Sequence, residues 1–240
     1  MRVIPVIDLL GGQVVRAVAG ERAAYRPVES RLTATATPSA VATAMLDLAP
    51  FSSFYLADLD AITGAGQDCN QARLLELCAT LARRDVAELW LDAGTAPWRR
   101  DFVDDAGERG LQVVLVDGSE SLSTDQDVAP DRILSLDYRR GRFLGPAGLE
   151  SDTAAWPARL IVMDLAAVGV GQGPSLARLD HLTTQARAAG RTDISFHAAG
   201  GVRGVDDLHI LAARGVGGVL VASALHDGRL DAAALSDFLN

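Results

Sequence analysis

Six aspartates, Asp8, Asp58, Asp92, Asp117, Asp137 and Asp164, each close a short apolar run in this chain. Carboxylates gathered on one rim can move protons, because one member can take a proton while another gives one. Asp8 and Asp137 stand apart from the rest. Asp8 is followed four residues on by Gly12, and Asp137 is followed in the same way by Gly141. Two carboxylates in matching places on opposite sides of a bound molecule are suited to serve as base and acid. A ring of like charge also raises the pKa of one of its members, which keeps an acid protonated near neutrality. Asp8 and Asp137 are therefore the catalytic candidates. Any other strand-end aspartate, taken alone, suits a structural role equally well, accepting N–H bonds from a neighbouring loop.

A second pattern concerns anions. Ala198-Ala199-Gly200-Gly201-Val202-Arg203 and Val221-Ala222-Ser223-Ala224 both follow apolar runs and open helical stretches. Glycine-rich turns and helix N-termini present backbone N–H groups to a phosphate. Gly200, Gly201, Ala222 and Ser223 are the phosphate-binding candidates, and the expected partner is a phosphorylated small molecule. Backbone groups matter here because the chain contains no lysine. That absence also removes Schiff-base aldolase chemistry and pyridoxal-phosphate anchoring. His181 and His209 fall in helical stretches, His226 falls in a loop, and His197 ends an apolar run where it can either pack or line a site. With four histidines so spread and Cys69 and Cys78 without metal-ligand spacing, no metal site and no cofactor are expected. The cysteines read as free thiols of a reducing compartment. A net charge of −9 argues against nucleic acid or an anionic membrane as partner. No apolar run reaches membrane-spanning length, and MRVIPVIDLL begins in strand-like sequence without a signal-peptide pattern, so a cytoplasmic protein is expected. The oligomeric state is not indicated.

The elements that must hold these residues recur in order. Apolar runs at Val3–Ile7, Ser53–Ala57, Glu88–Leu91, Gln112–Val116, Arg132–Leu136, Leu160–Met163, Asp193–His197 and Val216–Val221 alternate with amphipathic stretches. The latter predict helices over 38–49, 69–84, 97–109, 119–127, 152–157, 175–190, 204–214 and 230–239. Eight strand–helix units in 240 residues predict a single-domain (β/α)₈ TIM barrel over 1–240, with the catalytic mouth at the C-terminal strand ends. Besides the two aspartates, Leu56-Ala57-Asp58-Leu59 matches Val162-Met163-Asp164-Leu165, and Ala93-Gly94-Thr95 matches Ala199-Gly200-Gly201. These pairs predict a two-fold (β/α)₄ internal repeat that places Asp8 and Asp137 across the mouth from each other.

The same motifs, in order over nearly the whole chain, resemble the HisA/HisF family of histidine-biosynthesis barrels. Ile4-Pro5-Val6-Ile7-Asp8-Leu9 with Gly12 to Arg16 is similar to the family's strand-one motif. Leu56 to Asp60 resembles strand two, Ser135-Leu136-Asp137 strand five, and Asp164 with Gly171-Gln172-Gly173-Pro174 strand six and its loop. Ala198 to Gly201 and Val221 to Leu225 resemble the phosphate loops. The resemblance implies an Amadori-type aldose–ketose isomerase in which Asp8 and Asp137 are the base and acid. Arg16, Asp58, Asp164 and Gly171 would then bind substrate. Departures accompany it. Met163 stands where the family has threonine, and Val168 stands where it has a loop acid. Asp92-Ala93-Gly94-Thr95 replaces a glycine-rich phosphate motif, and Asp117-Gly118-Ser119-Glu120 brings two acids to the family's second phosphate position. At an effective dielectric of 20, each such charge about 4 Å from a phosphate charge costs roughly 4 kcal/mol. A single phosphate on the substrate is therefore expected. HisF chemistry relies on lysines that this chain lacks. Four readings stay open: a HisA-like isomerase of a phosphorylated sugar or carbonyl compound, a diverged enzyme of one-carbon cofactor (methanopterin or methanofuran) biosynthesis, a genuine phosphoribosylformimino-AICAR ribotide isomerase, and a catalytically silent barrel scaffold.

Overall fold

The computed structural model describes residues 1–64, 70–124 and 126–239. Cys69 lies outside the described residues. Eight strands, β1 (Arg2–Leu10), β2 (Ser53–Asp58), β3 (Glu88–Asp92), β4 (Gln112–Gly118), β5 (Ile133–Arg139), β6 (Arg159–Asp164), β7 (Ser195–Ala199) and β8 (Gly218–Val221), run parallel, each beside the next. The last returns to the first, with Arg2 opposite Gly218 and Pro5 opposite Val221, so the sheet is a closed barrel. Helices α1 (Pro38–Leu48), α2 (Leu59–Thr63), α3 (Gln71–Ala82), α4 (Arg99–Glu108), α5 (Leu176–Ala188), α6 (Val205–Ala213), α7 (Ser223–His226) and α8 (Ala232–Leu235) follow in chain order. This is the TIM barrel expected from the alternation of runs. No helix among the described residues is long and apolar enough to cross a membrane.

The period-two geometry of strands sorts every side chain to one of two cores. Val3, Ile7 and Leu9 of β1 pack outward under the helices, whereas Ile4 and Val6 point into the barrel. The same parity sends Tyr55 and Ala57, Trp90, Val114 and Val116, Ile133, Ile161, Ala199 and Leu220 inward. Their neighbours Phe54, Leu56, Leu89, Leu91, Leu115, Leu134, Leu136, Val162, Ala198 and Val221 join the outer layer. Both faces of every strand are thus apolar, as a sheet covered on both sides requires. The bottom of the barrel is closed by Trp90 edge-on to His197, with ring centroids 4.9 Å apart. Below them Glu88 pairs with Arg2 and Arg159.

Two expected helices do not form. Over 119–127 only a single 3₁₀ turn, Ser119–Ser121, is present, and the described residues after it are non-helical. Serine and aspartate side chains there compete for backbone groups, and Gln126 accepts the N–H of Ser123. Over 152–157 the chain makes turns, because Asp152 caps Ala154 and Pro157 disfavours helical backbone at Trp156. Conversely, α2 and α7 are one-turn helices inside the mouth loops, too short for an amphipathic period to reveal.

Candidate active site

A cleft lies at the C-terminal ends of the strands. Strand parity decides which carboxylates reach it. Asp8 shares the face of Ile4 and Val6, Asp92 that of Trp90, and Asp137 that of Ile133. These three line the cleft, joined by Glu120 from the loop after β4. Asp58, Asp117 and Asp164 have the opposite parity. Asp58 caps α2 by accepting the Ala61 N–H at 3.2 Å, and it also accepts Asn70 Nδ2 at 2.7 Å. Asp117 is buried between Arg99 and Arg132 at 2.9 Å from each. Asp164 accepts the N–H of Ala166. Asp58 and Asp164, which the family resemblance made substrate-binding candidates, instead face outward and serve the loops, since a one-residue step along a strand exchanges the two faces.

The three inward acids sit where water is scarce, and burial pushes each pKa up. Asp137 rises to about 8, chiefly by desolvation, with the charges of Asp92 and Glu120 adding to it; the Ser135 hydroxyl opposes the rise. Asp8 rises to about 7, through burial and then Asp92. Asp92 rises to about 6, through burial opposed by the Gly94 N–H and the Tyr55 hydroxyl. The hydrogen bonds agree with this. Asp137 accepts Ser135 Oγ at 2.6 Å and the Glu120 N–H at 3.2 Å. Asp92 accepts Tyr55 Oη at 3.2 Å and the Gly94 N–H at 3.1 Å. Near pH 7 such a set holds an acid that keeps its proton beside one that is half ionised, the pairing that acid–base catalysis uses.

Guanidinium groups balance the acids from the long loop after β1. Arg22 reaches across the mouth to Glu120 at 2.5 Å. Tyr25, its phenol pushed up to about 12 mainly by burial, lines the same wall. Arg139, at the end of β5, also lines the cleft.

The opposite wall is built from the ends of β7 and β8. Gly200, Gly201, Ala222 and Ser223 all line the cleft, as do Arg16, Gly171 and Arg229. Gly200 and Gly201 have φ of +92° and +82°. A Cβ at Gly200 would stand 2.6 Å from the Asp164 carbonyl oxygen, and one at Gly201 would strike that of Gly173. The backbone can turn here only as glycine, and it lies bare to the cleft. Arg16 makes two bonds to Asp227, at 2.8 and 2.9 Å, and Arg229 reaches the same carboxylate at 3.1 Å. Two guanidinium groups thus share one carboxylate beside the glycines, and the charge of Glu29 also acts on Arg16. His226, hydrogen-bonded to Ser30 Oγ at 2.9 Å, has its pKa lowered to about 4 by burial and adds no charge. His197 is buried in the barrel floor and is likewise neutral. Among the described residues no cluster of histidine, cysteine or carboxylate groups has the geometry to hold a metal ion.

Sequence reasoning had set Asp92 among the strand-end acids but not singled it out as a cleft residue, and it passed over Tyr55, Tyr25, Arg22 and Arg139. Strand parity counted from Ile4 and Trp90 would have found Asp92, and the inward alternation of β2 would have found Tyr55. The loop residues carry no local signal, because only the folding back of the loop after β1 brings them over the mouth.

Comparison with known proteins agrees with this architecture. A family model described as histidine biosynthesis protein matches residues 153–231. An uncharacterized protein of Methanocaldococcus jannaschii is 26% identical over 96% of each chain. Two proteins named as isomerases of a phosphoribosylated imidazole-4-carboxamide are similar along their length. That of Gemmatimonas aurantiaca is 29% identical over 99% of this chain and 98% of its own. That of Anaeromyxobacter sp. strain K is 30% identical over 96% and 95%. Among solved structures, a tryptophan synthase complex chain of Pyrococcus furiosus superposes with a TM-score of 0.52 at 13% identity, over 99% of this chain and 94% of that one, which is a likeness of fold alone. Similarity to isomerase relatives over the full barrel, one of them 30% identical along almost its whole length, places this chain in the HisA/HisF family of histidine-biosynthesis barrels.

Proposed function

We propose that the cleft isomerises a singly phosphorylated sugar or carbonyl compound by acid–base chemistry of the aldose–ketose, Amadori type. The observation that carries this reading is the meeting, in one cleft, of Asp8 from β1, Asp137 from β5 across the barrel, and the bare Gly200–Gly201 backbone with Ala222 and Ser223 at the ends of β7 and β8. The phosphate would anchor at the wall of β7 and β8, near Arg16 and Arg229, where strand ends and helix N-termini present backbone N–H groups; the relatives are named for phosphoribosyl compounds. Asp137, which holds its proton to about pH 8, protonates the ring oxygen as the sugar opens. Asp8, with a pKa of about 7, removes the proton at C2. The resulting enol becomes the ketone as Asp8, its proton exchanged with solvent, protonates C1 and the C2 hydroxyl gives up its own proton, so no redox partner is needed.

A single phosphate is favoured over two by the other wall. The N–H of Gly94 is taken by Asp92 and the N–H of Glu120 by Asp137. Backbone donors that could meet a second phosphate are thus bonded to carboxylates of the chain itself. Asp117, expected to add repulsion there, faces away and is paired with Arg99 and Arg132, so the charges left to repel a second phosphate are those of Asp92 and of Glu120, the latter partly offset by Arg22. The relatives' imidazole-carboxamide isomerase activity is the second reading, supported by the similarity along the chain.

Phosphorylated aldoses and aminoaldoses incubated with the protein in deuterium oxide test the proposal. Turnover is expected to place solvent deuterium on C1 of the ketose. It should be highest between about pH 7, below which Asp8 is protonated, and about pH 8, above which Asp137 is ionised. Asp8→Asn and Asp137→Asn should each reduce it by roughly 10²-fold or more. A variant that keeps wild-type kcat removes that residue from the mechanism. Growth of a histidine auxotroph lacking the pathway isomerase, when supplied with this chain, would favour the second reading.

A further inference from the structure

Asp92 has no part in the proton transfers assigned to Asp8 and Asp137, yet it is 7% exposed and directed into the same cleft. β3 and β5 are separated by β4, whose inward residue at this level is Gly118. A Cβ built at Gly118 would stand 3.1 Å from Asp92 Oδ2 and 3.2 Å from Asp137 Oδ2. Gly118 has φ −73°, which any residue adopts, so its want of a side chain serves space and not backbone conformation. Any larger residue would be a wedge between the two carboxylates. Neither carboxylate is paired with a cation among the described residues.

Two carboxylates brought together in a buried place do not both ionise cheaply, so one carries the charge and the other the proton. Donors reach both acids, so the surrounding charge decides between them. Asp92 receives the Gly94 N–H and the Tyr55 hydroxyl, and Asp137 receives the Ser135 hydroxyl, the Glu120 N–H and, at 3.4 Å, the Ser119 hydroxyl. The remaining groups near Asp137 add negative charge from two further sides. Asp8 faces the cleft from β1, and Glu120 from the loop after β4 is only partly offset by Arg22. Arg139 is on β5 itself, and Asp117 is turned outward to its arginines. We propose that Asp92 is a positioning residue that, across the gap left by Gly118 and with its own charge held by Tyr55 and Gly94, keeps the proton on Asp137. The order of the two acids, with burial lifting Asp92 to about 6 and Asp137 to about 8, agrees with this assignment. The inference rests on the reading of Asp137 as the acid of the reaction.

Carbon-13 NMR titration of the aspartate side-chain carboxyls, in the intact protein without ligand, tests it. In Asp92→Asn the Asp137 midpoint is expected to fall by about one pH unit or more. Asp92 titrates while Asp137 still holds its proton, so Asp137→Asn should leave the Asp92 midpoint within about 0.3 pH unit of wild type; Asp92→Ser serves if Asp92→Asn fails to fold. Tyr55→Phe should raise the Asp92 midpoint, a change that loss of packing alone would not produce. An Asp137 midpoint that stays within about 0.3 pH unit of wild type in folded Asp92→Asn or Asp92→Ser overturns the inference, as does an Asp92 midpoint that falls by about a unit or more in Asp137→Asn, which would make Asp137 the first of the two to ionise. Either result leaves the catalytic role of Asp137 standing, because that role is judged by turnover of Asp137→Asn.

Discussion

Replacing Asp137 by asparagine should make the protein more stable at alkaline pH while removing its activity. In the folded chain Asp137 keeps its proton to about pH 8, against an ordinary value of 3.8 for an exposed aspartate. Between those values the folded state binds more protons than the unfolded one, so stability contributed by neutral Asp137 is fully present below about pH 4. It drains away as pH rises towards 8 and then stays level. At about 1.4 kcal/mol per tenfold, the interval sets a ceiling of roughly 6 kcal/mol for the cost of the ionised carboxylate. Part of that cost is shared with Asp92 and Asp8. Asparagine escapes it but turns an N–H toward the Glu120 N–H or a serine hydroxyl, a mismatch worth about 1–3 kcal/mol. A net gain of roughly 2 kcal/mol at pH 9 remains, or about 4–8 °C in Tm for a domain of this size. At pH 4 wild-type Asp137 is neutral, only the mismatch survives, and the variant should melt lower than wild type. Differential scanning calorimetry of both proteins at pH 4 and pH 9 reads this change of sign directly. Equal Tm differences at the two pH values, or a variant less stable at pH 9, would refute the account of Asp137 as an acid held neutral by its surroundings.

Two further outcomes concern the ends of the barrel. Glu88→Gln, at the end away from the cleft, leaves Arg2 and Arg159 stacked on Trp90 without their counter-charge. Because both guanidinium groups reach solvent, the expected loss is about 1–2 kcal/mol by urea titration at pH 7, with turnover unchanged. Burial raises the Glu88 carboxyl, but the bonds and charges of Arg2 and Arg159 outweigh it and hold the group below its ordinary 4.5. The difference between variant and wild type should therefore fade as pH falls through the carboxylate range, and its persistence at pH 3 would contradict this. At the phosphate wall, Gly200→Ala meets both a positive φ and the Asp164 carbonyl, and about 1–3 kcal/mol of stability should be lost together with affinity for inorganic phosphate. Gly190→Ala, at φ +79° with open space around it, should leave phosphate binding untouched. Crystals soaked in sulfate should show an anion beside Gly201 and Ser223, and equal occupancy beside Gly94 and Gly118 would revive a doubly phosphorylated substrate.

The sequence by itself determined the barrel and the stock of chemical groups. Eight apolar runs alternating with amphipathic stretches have few ways to bury both strand faces, and closing the sheet is the one this chain takes. The absence of lysine, the Gly200–Gly201 pair after the seventh strand and the small Ala222–Ser223 pair after the eighth are likewise local facts. Tertiary structure decided which acids share the cleft. All six strand-end aspartates look alike as terminators of apolar runs, yet Asp8, Asp92 and Asp137 fall on the inward parity and Asp58, Asp117 and Asp164 on the outward one. The phase of each strand was readable from its inward Ile4, Trp90 or Ile133, but the stop of a run by itself does not carry it. The approach of Asp92 to Asp137 across Gly118, and of Arg22 to Glu120 across the mouth, joins residues that lie far apart in the chain. Such contacts exist only once barrel closure fixes the distances between strands. A pKa set by burial among those neighbours is for that reason a property of the fold, and no single residue's surroundings in sequence contain it.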